Sequence, residues 1–235
     1  MVEMPSISSR EEWLAARMAL RVREDAVAEQ LERLNDERRR LPMVEITKPY
    51  VFTGPEGPVT LQDLFAGRRQ LIVYHFMFDP TWDEGCRYCS FNMDNLGHLD
   101  HLLARETSLA VISRAPLSKI VPFKARMGWT FPWVSSAGND FNHDFHATLD
   151  GTVPAEQYVY KSAEAVAADG EYLFTDGDQG GTTVFLRDGD RIFQTYAVFG
   201  GRLDVLNGLM NYLDLTPMGR QDVAIRHHDR YKSLA

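Results

Sequence analysis

The spacing of apolar positions changes several times along the chain, and each change marks an element. Between residues 8 and 40, Leu14, Met18 and Val22, then Val27, Leu31 and Leu34, recur at helical spacing among charges, with Trp13 beside the first of them. This predicts one or two helices with a thin apolar stripe. Ser9 and Glu12 have the spacing of a capping box, with Ser9 as N-cap, and Leu41-Pro42 ends the segment. Such a stripe suits packing on the rest of the chain or on a second subunit.

Residues 43–53 carry strand-like material, and Gly54-Pro55-Glu56-Gly57-Pro58 is a strong turn signal. Val59-Thr60-Leu61 follows, then a short helix over 62–65 closed by Gly67. Residues 70–78 (QLIVYHFMF) form a nearly continuous apolar run, the pattern of a central parallel strand buried on both faces. A loop over 79–85 then leads to a predicted helix over 86–104, a second buried strand over 108–113, a helix over 117–127 and a short strand over 131–134. Near the C-terminus, 182–186 and 191–198 read as a hairpin about Asp188-Gly189, and 203–215 as a terminal helix. The order strand–helix–strand–helix–strand implies an α/β fold with parallel strands. The organisation expected is a helical extension (1–42), a main domain (43–216) and a polar tail (217–235) that frays. The Asp-, Gly- and Ala-rich stretch 136–181 reads as an insertion within the domain.

Composition narrows the function. The chain has 235 residues, 44% hydrophobic and 11% aromatic, enough for a sizeable core. Its formal net charge of −8 argues against general nucleic-acid binding. The basic run Arg38-Arg39-Arg40 follows acidic residues and reads as a solvated helix end. Nothing approaches the ~20 apolar residues that span a bilayer, and the N-terminal residues show no secretory pattern. The expectation is a cytoplasmic protein with no membrane or nucleic-acid partner.

The two cysteines, Cys86 and Cys89, stand in C-x-x-C spacing directly after the central strand and its loop. In a cytosolic chain that spacing beside a βαβ pattern reads first as a redox motif. Cys86 would sit at the first turn of a helix, where unpaired N–H groups and the helix dipole favour a thiolate. Cys89, one turn on, would resolve a mixed disulfide formed by Cys86. Arg87 favours the thiolate, whereas Asp83 and Glu84 oppose it. Inert core thiols are the bland alternative. A zinc site is a weaker one: the nearest other ligands, His98 and His101, lie too far along a continuous helix, His98 by roughly 13 Å.

Several stretches resemble known proteins: Leu61 to Arg68, the strand QLIVYHFMF, the loop to Gly85-Cys86, and the run from Ala110 to Ser136. They are similar to the thioredoxin-like superfamily on its peroxiredoxin side. YHFMF, GCxxCS, SRAP, RMGW, PWVSS, DFN and DLTPMGR more closely resemble an uncharacterised bacterial family of predicted dithiol-disulfide oxidoreductases, over about residues 10–222. The resemblance implies a thioredoxin-like central mixed sheet flanked by helices. Two departures bear on activity. Asp83 stands where peroxiredoxins carry Thr or Ser, and Pro80 is one residue too close to Cys86. Where thioredoxins place a cis-proline, this chain has Gly180-Gly181-Thr182-Thr183.

Other residues join the list of candidates. Arg114 ends the second buried strand, on the side where α/β sheets bind ligands, and could favour a thiolate, bind an anionic substrate or form a surface ion pair. Trp82 could cover the dithiol, and Thr182 and Thr183 could border a substrate. His75, inside an apolar strand, reads as a hydrogen-bonded core histidine. Trp129, Phe131 and Trp133 could wall a pocket or simply pack. Asp140 to His146 holds metal-ligand types, but the spacing reads better as a solvated loop. The expected function is a thiol–disulfide oxidoreductase that needs no bound cofactor or metal. It would act on a disulfide or thiol substrate with an external electron donor, and the helical extension is compatible with a homodimer. A thiol peroxidase and a non-catalytic binding module on the same fold are the alternatives.

Overall fold

In the computed structural model, residues 4–170 and 173–231 are described. The last four positions of the expected tail, residues 171–172 of the expected insertion, and residues 1–3 lie outside them. The first helix, α1 (Arg10–Arg39), is continuous, and Ser9 and Glu12 form the capping box, each bonding the other's backbone N–H. None of its residues is buried.

The strands are β1 (Val44–Ile46), β2 (Val51–Gly54), β3 (Gly57–Thr60), β4 (Gln70–His75), β5 (Thr107–Ser113), β6 (Trp133–Ser135), β7 (Thr148–Asp150), β8 (Asp176–Asp178), β9 (Gly181–Asp188) and β10 (Arg191–Phe199). After α1 come α2 (Arg87–Asp94), α3 (Asp100–Leu103), α4 (Leu117–Arg126), α5 (Phe141–Asp144), α6 (Ala163–Ala168) and α7 (Gly208–Asp214). Eight strands make one mixed sheet in the order β1-β10-β9-β4-β5-β6-β2-β3, and β7 and β8 pair separately. Strands β4, β5 and β6 run parallel, while β9 lies antiparallel to β4 and continues into β10. A parallel β4–β5 pair joined through helices, with a C-terminal hairpin added antiparallel on β4, is a thioredoxin-like arrangement.

The centre of the sheet is covered on both sides, as the unbroken apolar runs require. Alternate residues of β4 and β5 feed two cores. Leu71, Val73, Ala110 and Ile112 pack with Phe65, Phe141 and Phe185 on one face. Tyr74, Leu109 and Val111 pack with Phe76, Phe123, Trp133 and Cys89 on the other. Trp129, Phe131 and Trp133 stack within this second core, with ring centroids 5.4–6.2 Å apart. His75 is buried between the Phe141 and Phe199 rings and bonds Thr183 Oγ1 through Nε2 at 2.7 Å, as a core histidine should. Burial pulls its pKa down to about 3, so it stays neutral.

Four expectations need correction. The helix expected over 86–104 breaks after Asp94. Asn95 turns its side chain to the Phe91 carbonyl (2.7 Å) and accepts the Leu209 N–H (2.8 Å), and Gly97 follows, a poor helix former. The terminal helix over 203–215 is a 3-10 turn (Gly200–Leu206) followed by α7, with Asn207 capping the latter. Residues 140–146 are not a solvated loop: Phe141 and Asn142 are buried in α5, Phe145 packs beneath them, and Asp140 and Asp144 hold Lys48. The tail does not fray through residue 231. It folds back over the start of α2, where His227 is buried. Among the described residues no helix is long and apolar enough to cross a membrane.

Phe185 on β9 is fully buried against Phe141 and Phe145. Phe185→Ala should lower the unfolding free energy by about 3–5 kcal/mol, read as an earlier urea midpoint.

Candidate functional site

Beyond β4 the chain continues as a tightly held loop. Phe76 and Phe78 stay buried although the strand has ended. The Asp79 side chain accepts the backbone N–H (2.8 Å) and hydroxyl (2.6 Å) of Thr81, closing a turn. Lys119 on α4 donates to the carbonyls of Pro80 (2.8 Å) and Trp82 (2.7 Å). Gly85 then passes so close to two aromatic rings that a Cβ there would lie 2.5 Å from Phe76 and 2.8 Å from Phe123.

This loop delivers Cys86 to the N-cap position of α2, with extended backbone geometry. Residue 77 touches both cysteines through its main chain: the Met77 carbonyl accepts the Cys86 N–H (3.0 Å), and the Met77 N–H points to Cys89 Sγ (3.4 Å). Both cysteines are free thiols; Cys89 is buried and Cys86 only partly so. The Cys86 thiol is pulled down to about 6, first by a hydrogen bond from the Cys89 thiol. The backbone N–H groups of Cys89 and Tyr88 and the charge of Arg87 add to this, against the opposing effect of burial. Cys89 is pushed well above the usual thiol range, by burial first and then by its Cys86 neighbour. The Tyr74 hydroxyl faces Cys89 and accepts a bond from Asn92 Nδ2 at 2.9 Å.

The other side of the pair is formed by the loop before β9. A Cβ on Gly180 would lie 3.2 Å from Cys89 Sγ. Arg114, at the end of β5, ties this loop to the one carrying Cys86. Its guanidinium pairs with Asp79 and, at 2.6 Å, with Asp178, whose side chain is 2% exposed. Thr148 Oγ1 also donates to Asp178 (2.6 Å). Arg114 is thus neither a surface ion pair nor an open anion site.

A cleft of about 510 Å³ opens beside Cys86, walled by Trp82, Glu84, Gly85 and Arg87 on one side and by Ile225, Arg226, His227 and Arg230 on the other. The structure therefore brings Trp82, Arg87 and Cys86 together. Thr183 is engaged with His75 in the core, and Thr182, on the same strand, is buried. The C-terminal segment was not legible as part of a site. Its polar composition reads as a tail, and only its cluster His227-His228-Asp229-Arg230 hints at pairing. His227 Nε2 bonds the Gly85 carbonyl (2.9 Å), Arg230 pairs with Glu84 (2.6 Å), and Arg126 pairs with both Glu84 (2.9 Å) and Asp229 (2.7 Å). Among the described residues no group of three or more His, Cys, Asp or Glu is arranged to hold a metal ion.

Two outcomes follow for the reduced protein. Iodoacetamide should alkylate Cys86 with a pH midpoint near 6, while Cys89 stays unreactive until far higher pH. Because the folded thiol ionises more easily than the unfolded one, this group adds stability that is complete above pH 9 and lost as pH falls through about 6. Cys86→Ser should flatten that slope in denaturation curves. Arg114→Ala leaves two carboxylates without their cation, one of them buried, and should cost about 3 kcal/mol or more, read as a lower Tm.

Several solved structures are similar to this chain at low identity. A cysteine-to-serine mutant of PrxQ from Xylella fastidiosa is 18% identical, with 71% of this chain and 89% of that chain covered, at a TM-score of 0.42. Peroxidoxin BcpB from Mycobacterium tuberculosis is 14% identical over 74% and 96%, at 0.44. A candidate thiol:disulfide interchange protein DsbE from Chlorobium tepidum is 13% identical over 73% and 94%, at 0.42. No curated protein matches the sequence. The family described as "Bacterial protein of unknown function (DUF899)" matches residues 2–231, nearly the whole length, and the chain belongs to it.

Proposed function

We propose that the protein is a thiol–disulfide oxidoreductase in which Cys86 attacks and Cys89 resolves. One observation carries the reading: two neighbouring sulfurs have opposite environments. Cys86 borders the cleft and ionises near pH 6, whereas Cys89 is buried and holds its proton. A nucleophilic thiol is most effective when its pKa lies near ambient pH, so that it is ionised without losing much reactivity.

In the forward direction the Cys86 thiolate attacks one sulfur of a substrate disulfide. A Cys86–substrate disulfide forms, and the other half leaves as a thiolate. Cys86 is then no longer an anion, so the neighbouring charge that raised the Cys89 pKa is gone. The Met77 N–H and the Tyr74 hydroxyl remain to stabilise a Cys89 thiolate. Cys89 gives up its proton to the released thiolate and attacks Cys86, expelling the second half as a thiolate that takes a proton from water. The protein ends as a Cys86–Cys89 disulfide, oxidised by two electrons, and the substrate as two thiols. An external dithiol would return it to the reduced state, and no bound cofactor enters these steps.

Stoichiometric disulfide reduction by the reduced protein tests this. Wild type should release two thiols per disulfide. Cys89→Ser should stop at a stable mixed disulfide visible by mass spectrometry, and Cys86→Ser should fall to the rate of an ordinary buried thiol. Equal turnover by wild type and Cys86→Ser would overturn the reading.

A further inference from the structure

We infer that the cleft beside Cys86 recognises small disulfides bearing carboxylates or other anionic groups, through Arg87 and Arg226. The inference rests on the dithiol reading above and gives it a substrate class. Its starting point is charge. The chain carries a net charge of −8, yet the cleft is lined by three arginines against a single glutamate. That glutamate, Glu84, is fully engaged: Arg230 reaches both of its carboxylate oxygens at 2.8 and 2.6 Å, and Arg126 adds a third bond at 2.9 Å. Arg230 is therefore neutralised within the wall. Arg87 lies over the Tyr88 ring at 5.1 Å, and neither it nor Arg226 has a carboxylate partner among the described residues.

Two guanidinium groups without a carboxylate partner among the described residues, both lining the cleft that borders Cys86, have a specific use. A thiolate repels an anionic disulfide, and the leaving half adds a second sulfur anion during attack. Flanking arginines offset both effects, and each presents a donor fork suited to a carboxylate. The remaining walls fit the body of such a molecule. Trp82, 38% exposed, and the half-buried Ile225 provide apolar surface, and about 510 Å³ lies in the range of small-molecule sites. Arg226 comes from the folded-back segment, held in place by His227 on the Gly85 carbonyl and by Asp229 on Arg126. Charge selection would thus depend on a residue 140 positions away from the nucleophile in sequence.

The test uses three aliphatic disulfides: dithiodipropionate (anionic), hydroxyethyl disulfide (neutral) and cystamine (cationic). The full-length reduced protein reacts with each in single turnover, and each rate is divided by the rate of the same disulfide with dithiothreitol, a neutral reference thiol. In every case the protein loses two electrons and the Cys89 proton to become the Cys86–Cys89 disulfide, and the probe, taking its second proton from water, becomes two thiols. Dithiodipropionate should be favoured about tenfold over hydroxyethyl disulfide, with cystamine slowest. The preference should weaken as salt rises. Arg87→Gln and Arg226→Gln should each lower the anionic-to-neutral ratio about threefold, the size of a partly exposed charge pair. Equal normalised rates for the three probes would overturn the anionic class while leaving the dithiol reading intact. An anionic preference undiminished in both variants would overturn the role of the two arginines. If no probe is reduced although Cys86 alkylates normally, the oxidoreductase reading fails, and this inference fails with it.

Discussion

Arg114 holds two carboxylates that the chain supplies from places far apart in sequence. Asp79 belongs to the loop that leads into Cys86, and Asp178 lies just before Gly180, which faces the Cys89 sulfur. Strand β5 sets the guanidinium between them, so the spacing of the two loops follows from one planar cation. A buried carboxylate such as Asp178 needs that partner, since an uncompensated charge in the interior costs several kcal/mol. The bridge thus joins the two segments that flank both sulfurs.

Within that frame the two cysteines become unlike through small differences of position. Both touch residue 77, one through its carbonyl and one through its N–H. One sulfur reaches the cleft, and the other is sealed among Tyr74, Met77 and Gly180. A single turn of helix separates a thiol that ionises near pH 6 from one that resists ionisation well above 9. The same turn lets each sulfur influence its neighbour's proton. Their joint behaviour belongs to the pair and not to either residue alone.

Much of this was legible in the sequence because burial leaves a periodic trace. The runs at β4 and β5, the hairpin about Gly189 and the Ser9–Glu12 cap all announce themselves through spacing or through a turn residue. So does the placement of Cys86 at the start of a helix. The parts that escaped are held by polar contacts between distant positions, and these leave no period. Asn95 ends α2 by serving a backbone group of α7, more than a hundred residues later. Asp140 and Asp144 look like solvated acids until Lys48 is brought to them. The clearest case is the segment around His227: composed like a tail, it is fixed by Glu84 and Arg126, whose own sequence contexts say nothing about it.

Gly85 leaves room for two aromatic rings and none for a methyl group. That closeness has a bearing on how the protein can change over generations. A substitution at this position alone would push Phe76 or Phe123 out of place, and shrinking either ring alone would open a hole in the core beside the loop. Each single step is unfavourable, and only a coordinated pair of changes restores a filled interior. The position just ahead of Cys86 is therefore walled in by mutational epistasis, and drift among descendants of this sequence should run freely in the exposed loops while passing it by.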